Sequence, residues 1–272
     1  MRRKSATMIP KIIHYCWFGR KKKTEMAEKC IESWKKYCPD YTIIEWNEEN
    51  FDVTSCAYVN KVYSEKKWAF VTDYVRLWVV YNYGGFYLDT DVELLRPLDD
   101  LRTHSLYFGC EGDNHVATGL GFGAEKENEF IKKNMEIYEE ISNFESNGNF
   151  TVNPCPYYTT KLLREMGIVF PIKQPIKCKD IMIYPNEYFN PYDWASKKMK
   201  IKKNTYSIHH YSASWMSDMQ KKSVIERHNY EKIKKKYGEF VAKVYSYSFW
   251  SKKENGGKGL IKQLYIKLKQ LR

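Results

Sequence analysis

No apolar run in this sequence approaches the length that crosses a bilayer. The opening stretch MRRKSATMIPKIIHYCWFG is basic, but Lys11 and His14 interrupt it, so it lacks the apolar centre of a secretory leader. The 7 cysteines are odd in number and include no Cys-x-x-Cys pair. That pattern argues against a disulfide framework and a thiolate zinc site and favours a reducing compartment. No internal repeat is visible, which sets aside solenoids and propellers. These absences predict a cytoplasmic chain without a membrane anchor of the Golgi type.

With 272 residues, the expectation is one domain plus an appendage, long enough to bury a real core. The net charge of +12 is uneven. Residues 1–23 carry eight Lys/Arg and no acid, and 216–272 carry 15 Lys/Arg against 5 Asp/Glu. The middle, 24–215, is mildly acidic, with 22 basic and 28 acidic residues. Basic ends suit a solvated face or an anionic surface. They do not make the whole chain a nucleic-acid binder, because the acidic middle would have no role in one. The 23 Tyr and 8 Trp suit either a tyrosine-rich core or a sugar-binding surface.

Trp68–Leu95, WAFVTDYVRLWVVYNYGGFYLDTDVELL, is the most informative stretch. From Trp68 to Tyr83 there is no Gly or Pro, and Phe70, Tyr74, Leu77, Trp78 and Tyr81 recur at helical spacing. Asp73 and Arg76, at i and i+3, share one helix face. Gly84-Gly85 predicts a helix stop, and Phe86-Tyr87-Leu88 a buried strand. Asp89 and Asp91 are two apart, so in extended chain their carboxylates point the same way. Two hard oxygen ligands there can bridge a divalent cation to a phosphorylated substrate. Asp-x-Asp alone recurs by chance, and its surroundings give it weight.

The run from Thr72 to Leu95 closely resembles the DXD region of the family 32 glycosyltransferases. These include bacterial capsular polysaccharide transferases, fungal initiating mannosyltransferases and, more distantly, the large clostridial glucosylating toxins. IPKIIHYCWFG at Ile9–Gly19 resembles the family's opening strand, and Trp34, Pro39, Tyr41 and Trp46 its N-terminal spacing. TYSIHHYSASW at Thr205–Trp215 resembles its C-terminal His…Ser-Trp signature, with Ala213 where Gly is usual. The His-Pro that often follows an Asn-led strand is replaced by Glu127-Asn128-Glu129.

The resemblance implies an α/β GT-A-type nucleotide-sugar-binding fold over 1–215, a mixed central sheet flanked by helices. Residues 216–272 are expected to form a basic helical C-terminal extension. It implies metal-dependent, retaining transfer of a sugar from a UDP- or GDP-linked donor to a glycan or lipid-linked glycan, as in surface polysaccharide synthesis. Mn2+ or Mg2+ would be held by Asp91, by Asp89 and by His209, with His210 the alternative histidine. Asp89, Asp91 and Arg76 would carry catalysis. Trp17 would stack on the base, Asp73, Arg76 and Tyr87 would surround donor sugar and diphosphate, Asp89 would reach ribose or metal, and Ser214 and Trp215 would close over the donor.

The remaining segments predict helices at 24–38, 125–144, 156–166 and 224–244. Strands are predicted at 41–46, 105–111, 168–171 and 181–184. Asn114–Glu125 and Asn186–Trp194 are candidates for the acceptor side. Gly259–Leu271 has the pattern of a basic amphipathic helix that lies on an anionic membrane. A rival reading takes LDTDV, with Asp89 and Asp91, as the nucleophile strand of a haloacid dehalogenase-type phosphatase. That chemistry needs a second acidic pair after an apolar strand, and KDIMIYP puts its acid before the strand.

Overall fold

The computed structural model describes residues 8–112, 114–141, 153–193, 198–212 and 218–251. The chain divides into two compact units, Met1–Ser212 and Ala213–Arg272.

In the first unit, β1 (Ile12–Cys16) leads to α1 (Glu25–Tyr37) and β2 (Thr42–Trp46), then α2 (Ala57–Ser64) and α3 (Trp68–Tyr83). There follow β3 (Gly85–Tyr87), β4 (Val92–Leu94), β5 (Leu106–Glu111), β6 (His115–Val116) and β7 (Phe122–Ala124). Next come α4 (Glu129–Ile141), α5 (Cys155–Glu165), β8 (Ile176–Cys178) and β9 (Ile181–Tyr184). The unit ends with β10 (Tyr192–Asp193), β11 (Lys198–Met199) and β12 (Ser207–His209). The central sheet runs β2-β1-β3-β7-β5-β9-β8, with β6 paired to β5. It is mixed: β1 is parallel to β2 and β3, and β5 to β9, while β7 is antiparallel to both β3 and β5. The expected mixed sheet flanked by helices is therefore present.

Side chains alternate across the sheet, and that alternation builds two cores. Tyr15, Phe86 and Tyr107 face one side with Trp34 of α1, while Cys16, Tyr87 and Phe108 face the other with α3 and α4. Helix α1 starts at Thr24, whose hydroxyl accepts from the Ala27 N–H at 3.2 Å. Its Trp34 Nε1–H donates to the Val92 carbonyl at 2.7 Å, and Ser33 Oγ accepts from the Leu94 N–H at 2.9 Å. Both bonds pin β4 just beyond the aspartates. Helix α3 is apolar nearly all round and is accordingly buried. It stops at Gly84 and Gly85, both at positive φ (66° and 100°). At Gly85 a Cβ would also lie 2.7 Å from the Ile12 carbonyl, so only glycine lets β3 close on β1.

Three expectations change. Asp89–Asp91 is not extended chain: residues 88–91 leave β3 as a turn, closed by the Val92 N–H donating to the Asp89 carbonyl at 3.0 Å. No strand forms at 168–171, and the neighbouring strand is β8 instead. The helix expected over 224–244 is two helices, α6 (Asp218–Tyr237) and α7 (Glu239–Ser251), broken at Gly238 with φ 88°. These two helices belong to the second unit. The amphipathic segment 259–271 lies outside the described residues. Among the described residues, no helix is long and apolar enough to cross a membrane.

Candidate functional site

The β3–β4 turn, the inner face of α3 and the end of β12 meet at one place. Antiparallel pairing of β12 with β4 sets His209 opposite Val92, one residue from Asp91. His209 Nε2 lies 3.1 Å from Asp91 Oδ1. Asp91 Oδ2 accepts from the Ser212 N–H at 2.8 Å and from the Ser212 hydroxyl at 3.0 Å. The His210 N–H donates to the Asp91 carbonyl at 2.9 Å, while the His210 ring turns away to Glu93 at 2.8 Å. The chain at 209–212 thus wraps Asp91. Tyr211 supports the wrap: it has φ 50°, its ring packs 4.1 Å from that of His209, and its hydroxyl accepts from Asn190 Nδ2 at 2.5 Å.

Behind the turn, Arg76 is a hub. Its Nη2 is 3.2 Å from Asp73 Oδ1 and 3.2 Å from Asp89 Oδ1, and its guanidinium lies 5.0 Å from the Tyr87 ring centre. It donates to the Thr72 carbonyl and hydroxyl, to the Thr118 hydroxyl and to Cys155 Sγ. The Tyr87 hydroxyl donates to Asp89 Oδ1 at 2.9 Å. Asp73 Oδ2 accepts from the Cys155 N–H at 3.3 Å, at the start of α5, where the helix dipole favours a negative charge.

The electrostatics divide the carboxylates. Burial works against the Asp91 charge, yet the bonds from His209 and Ser212 outweigh it and hold this carboxyl at about 2. Burial lifts Asp73 to about 6 against the pull of Arg76. It also raises Asp89, again against Arg76. His209 is raised: burial disfavours its charge, but Asp91 outweighs burial. Access divides the groups in the same way. The Asp89, Asp91 and His209 side chains are 26%, 14% and 13% exposed, against 8% for Asp73 and 4% for Arg76. The first three can meet a ligand directly, and in this conformation Asp73 and Arg76 act on Asp89 from beneath.

Asp89, Asp91 and His209 each offer a ligand atom, all within 4.8 Å of one another. His209 Nδ1 is buried and has no hydrogen-bond partner among the described residues. Two carboxylates and an imidazole fit a small divalent cation, the imidazole favouring Mn2+ over Mg2+.

Six of the sequence-derived residues, Asp73, Arg76, Tyr87, Asp89, Asp91 and His209, therefore come together. Trp17 follows Cys16 at the end of β1. It lines a cavity of about 520 Å3 with Arg20, Lys21 and Glu48, and its Nε1–H donates to the Lys21 carbonyl at 2.6 Å. Ser214 and Trp215 lie outside the described residues. Sequence reasoning missed Ser212, Thr118, Cys155 and Gly119. Gly119 packs so tightly that a Cβ there would stand 2.5 Å from Asp89 Oδ2 and 3.2 Å from Arg76 Nη1.

Residues 24–108 match a family model described as "Glycosyltransferase sugar-binding region containing DXD motif". The chain is 28% identical over 162 residues to inositol phosphoceramide mannosyltransferase 3 of Schizosaccharomyces pombe, covering 57% of this chain and 43% of that protein. It is 25% identical over 128 residues to the lactosylceramide 4-alpha-galactosyltransferase of Mus musculus, covering 47% and 33%. The chain thus spans less than half the length of these relatives. Among solved structures, the PaToxG glycosyltransferase matches with a TM-score of 0.45 at 19% identity, over 58% of this chain and 69% of that one. The matched region contains Asp73, Arg76, Tyr87 and the Asp89–Asp91 turn, so the phosphatase reading is not favoured. Residues 24–108 of this chain are thus similar to the sugar-binding region, containing a DXD motif, of glycosyltransferases.

Proposed function

We propose that the chain moves a sugar from a nucleotide sugar to a glycan or lipid-linked acceptor, with retention of anomeric configuration, using a divalent cation held by Asp89, Asp91 and His209. The observation that carries this reading is the convergence of those three ligand atoms within 4.8 Å at a turn inside the matched sugar-binding region. Breaking the anomeric bond builds negative charge on the departing diphosphate, and a bound Mn2+ or Mg2+ supplies the neutralising charge. Ser212 and Tyr211 hold Asp91 and His209 in place. Arg76 and Tyr87 fix Asp89 and add positive potential beneath it. Asp73 keeps the Arg76 guanidinium aimed at Asp89. Trp17 offers an indole face for the base at the cavity by β1, and residues 1–215 act as the catalytic domain.

The names of the relatives support a lipid-linked acceptor, since both act on ceramide-linked substrates. A role in surface polysaccharide synthesis, a cytoplasmic setting and attraction of 258–272 to an anionic membrane complete the reading, on sequence grounds alone. The test is a donor panel of UDP- and GDP-sugars with Mn2+, read as released nucleotide diphosphate, beside a generic phosphomonoester read as phosphate. Phosphate release without nucleotide release would return the Asp89–Asp91 turn to phosphatase chemistry.

A further inference from the structure

The first unit holds a second concavity, of about 750 Å3, whose lining includes Asn114, His115, Tyr157, Thr160, Lys161 and Arg164. That volume is typical of small-ligand sites. Two elements build it, β6 and the length of α5, and they are tied together where the Val116 N–H donates to the Thr160 hydroxyl at 3.0 Å. Both elements also adjoin residues that touch the Arg76–Asp89 cluster. Beyond β6 the chain continues to Thr118, which accepts from Arg76, and to Gly119, which packs on Asp89. Helix α5 begins at Cys155, whose N–H donates to Asp73 and whose sulfur accepts from Arg76. One end of the concavity therefore adjoins the wall of the site where a donor sugar would react.

The polar groups lining it already have partners. Lys161 faces Glu165 at 3.9 Å, and His115 faces Glu111 at 3.5 Å. Arg164 donates to the Asn114 carbonyl at 3.2 Å and lies 5.4 Å from the Phe170 ring centre. An anion would compete with Glu165 for Lys161, whereas hydroxyl groups can add to all of these pairings. Tyr157 is 53% exposed, and its ring is braced edge-on by Tyr158 at 5.3 Å. A fixed aromatic face beside matched polar groups suits the C–H face and hydroxyl rim of a pyranose. We propose that this concavity binds a pyranose ring of an uncharged glycan, the acceptor of the transfer, with Tyr157 as its platform. The acceptor role rests on the glycosyltransferase reading, and sugar binding as such does not.

Saturation-transfer NMR of the full chain in EDTA, with the methyl pyranosides of glucose, galactose and mannose and with methyl glucuronide, tests this. Ring protons of at least one neutral glycoside should saturate. The signal should fall by about fivefold in Tyr157→Ala, return in Tyr157→Phe and persist in Tyr237→Ala, a control in the second unit. With Mn2+ and donor, Tyr157→Ala should raise the KM for the glycoside and leave donor hydrolysis in its absence unchanged. The proposal is overturned if no neutral glycoside saturates, if the uronide alone does, or if the signal survives Tyr157→Ala. Glycoside binding through Tyr157 in a protein that releases nucleotide from no donor would overturn the acceptor role and leave a sugar-binding site.

Discussion

Substitution of Gly119 by alanine adds one methyl group at the most crowded point of the site. The new Cβ would lie 2.5 Å from Asp89 Oδ2, nearly an ångström inside ordinary contact. Gly119 has no positive φ, so backbone strain plays no part and the effect is purely steric. A free carboxylate would rotate away at little cost. Asp89 is not free: Tyr87 donates to its Oδ1 at 2.9 Å and Arg76 sits 3.2 Å from the same atom. Relief therefore sacrifices at least one charged hydrogen bond, which costs about 1.5–3 kcal/mol, or roughly 10- to 150-fold in metal affinity or turnover. Global stability should fall by about 1–3 kcal/mol, the usual cost of one overpacked methyl. Calorimetric titration with Mn2+ and turnover of the best donor, on protein checked by circular dichroism, measure both effects. In an Asp89→Ser background the same alanine should cost much less, because the clashing oxygen is gone. Wild-type metal affinity and turnover in Gly119→Ala would refute the claim that Asp89 must stay where the structure has it.

Other outcomes are fixed by the same geometry. Asp91→Asn removes the charge but not the shape, so turnover should fall by at least ~100-fold with the fold intact; full activity in this variant or in EDTA would contradict a metal-dependent reaction. Trp17→Ala should weaken nucleotide diphosphate binding by about 1–3 kcal/mol, measured by titration, and unchanged affinity would make Trp17 a packing residue only. His14 is fully buried, accepts from Trp46 Nε1–H and pairs with the Gly84 carbonyl, and burial lowers it to about 4. Because the unfolded chain takes up this proton first, the stability from a neutral His14 is complete above pH ~6.5 and is lost as pH falls toward 4. Urea unfolding should therefore show about 2 kcal/mol less stability at pH 5 than at pH 7 from this group, a slope absent in His14→Asn.

Local pattern carried much of the fold. The α3 period and its Gly84-Gly85 stop read directly from sequence, because a long helix repeats its signal over 16 residues. The β8 strand was not legible: it is 3 residues long, with an exposed Lys177 at its centre, and offers no alternation to count. Gly238 breaks α6 from α7 through its backbone angle alone, in a stretch whose apolar spacing reads straight through. At the site, Asp73, Arg76, Tyr87, Asp89 and Asp91 sit within twenty residues and share one motif. Asp89 and Asp91 lie in a turn rather than a strand, since the Asp89–Val92 hydrogen bond replaces sheet pairing. Thr118 and Cys155 reach Arg76 across 42 and 79 residues, and no local pattern encodes such contacts. Ser212 carries no motif signal of its own; the left-handed turn at Tyr211 brings it to Asp91.

The most direct test of the central claim is anomalous diffraction from a crystal of the full chain grown with Mn2+ and a nucleoside diphosphate. The expected result is one manganese peak bounded by Asp89, Asp91 and His209, absent from Asp91→Asn crystals grown the same way. A peak elsewhere, or a peak that survives in Asp91→Asn with His209 turned away, would contradict the assignment of these three residues as the cation site.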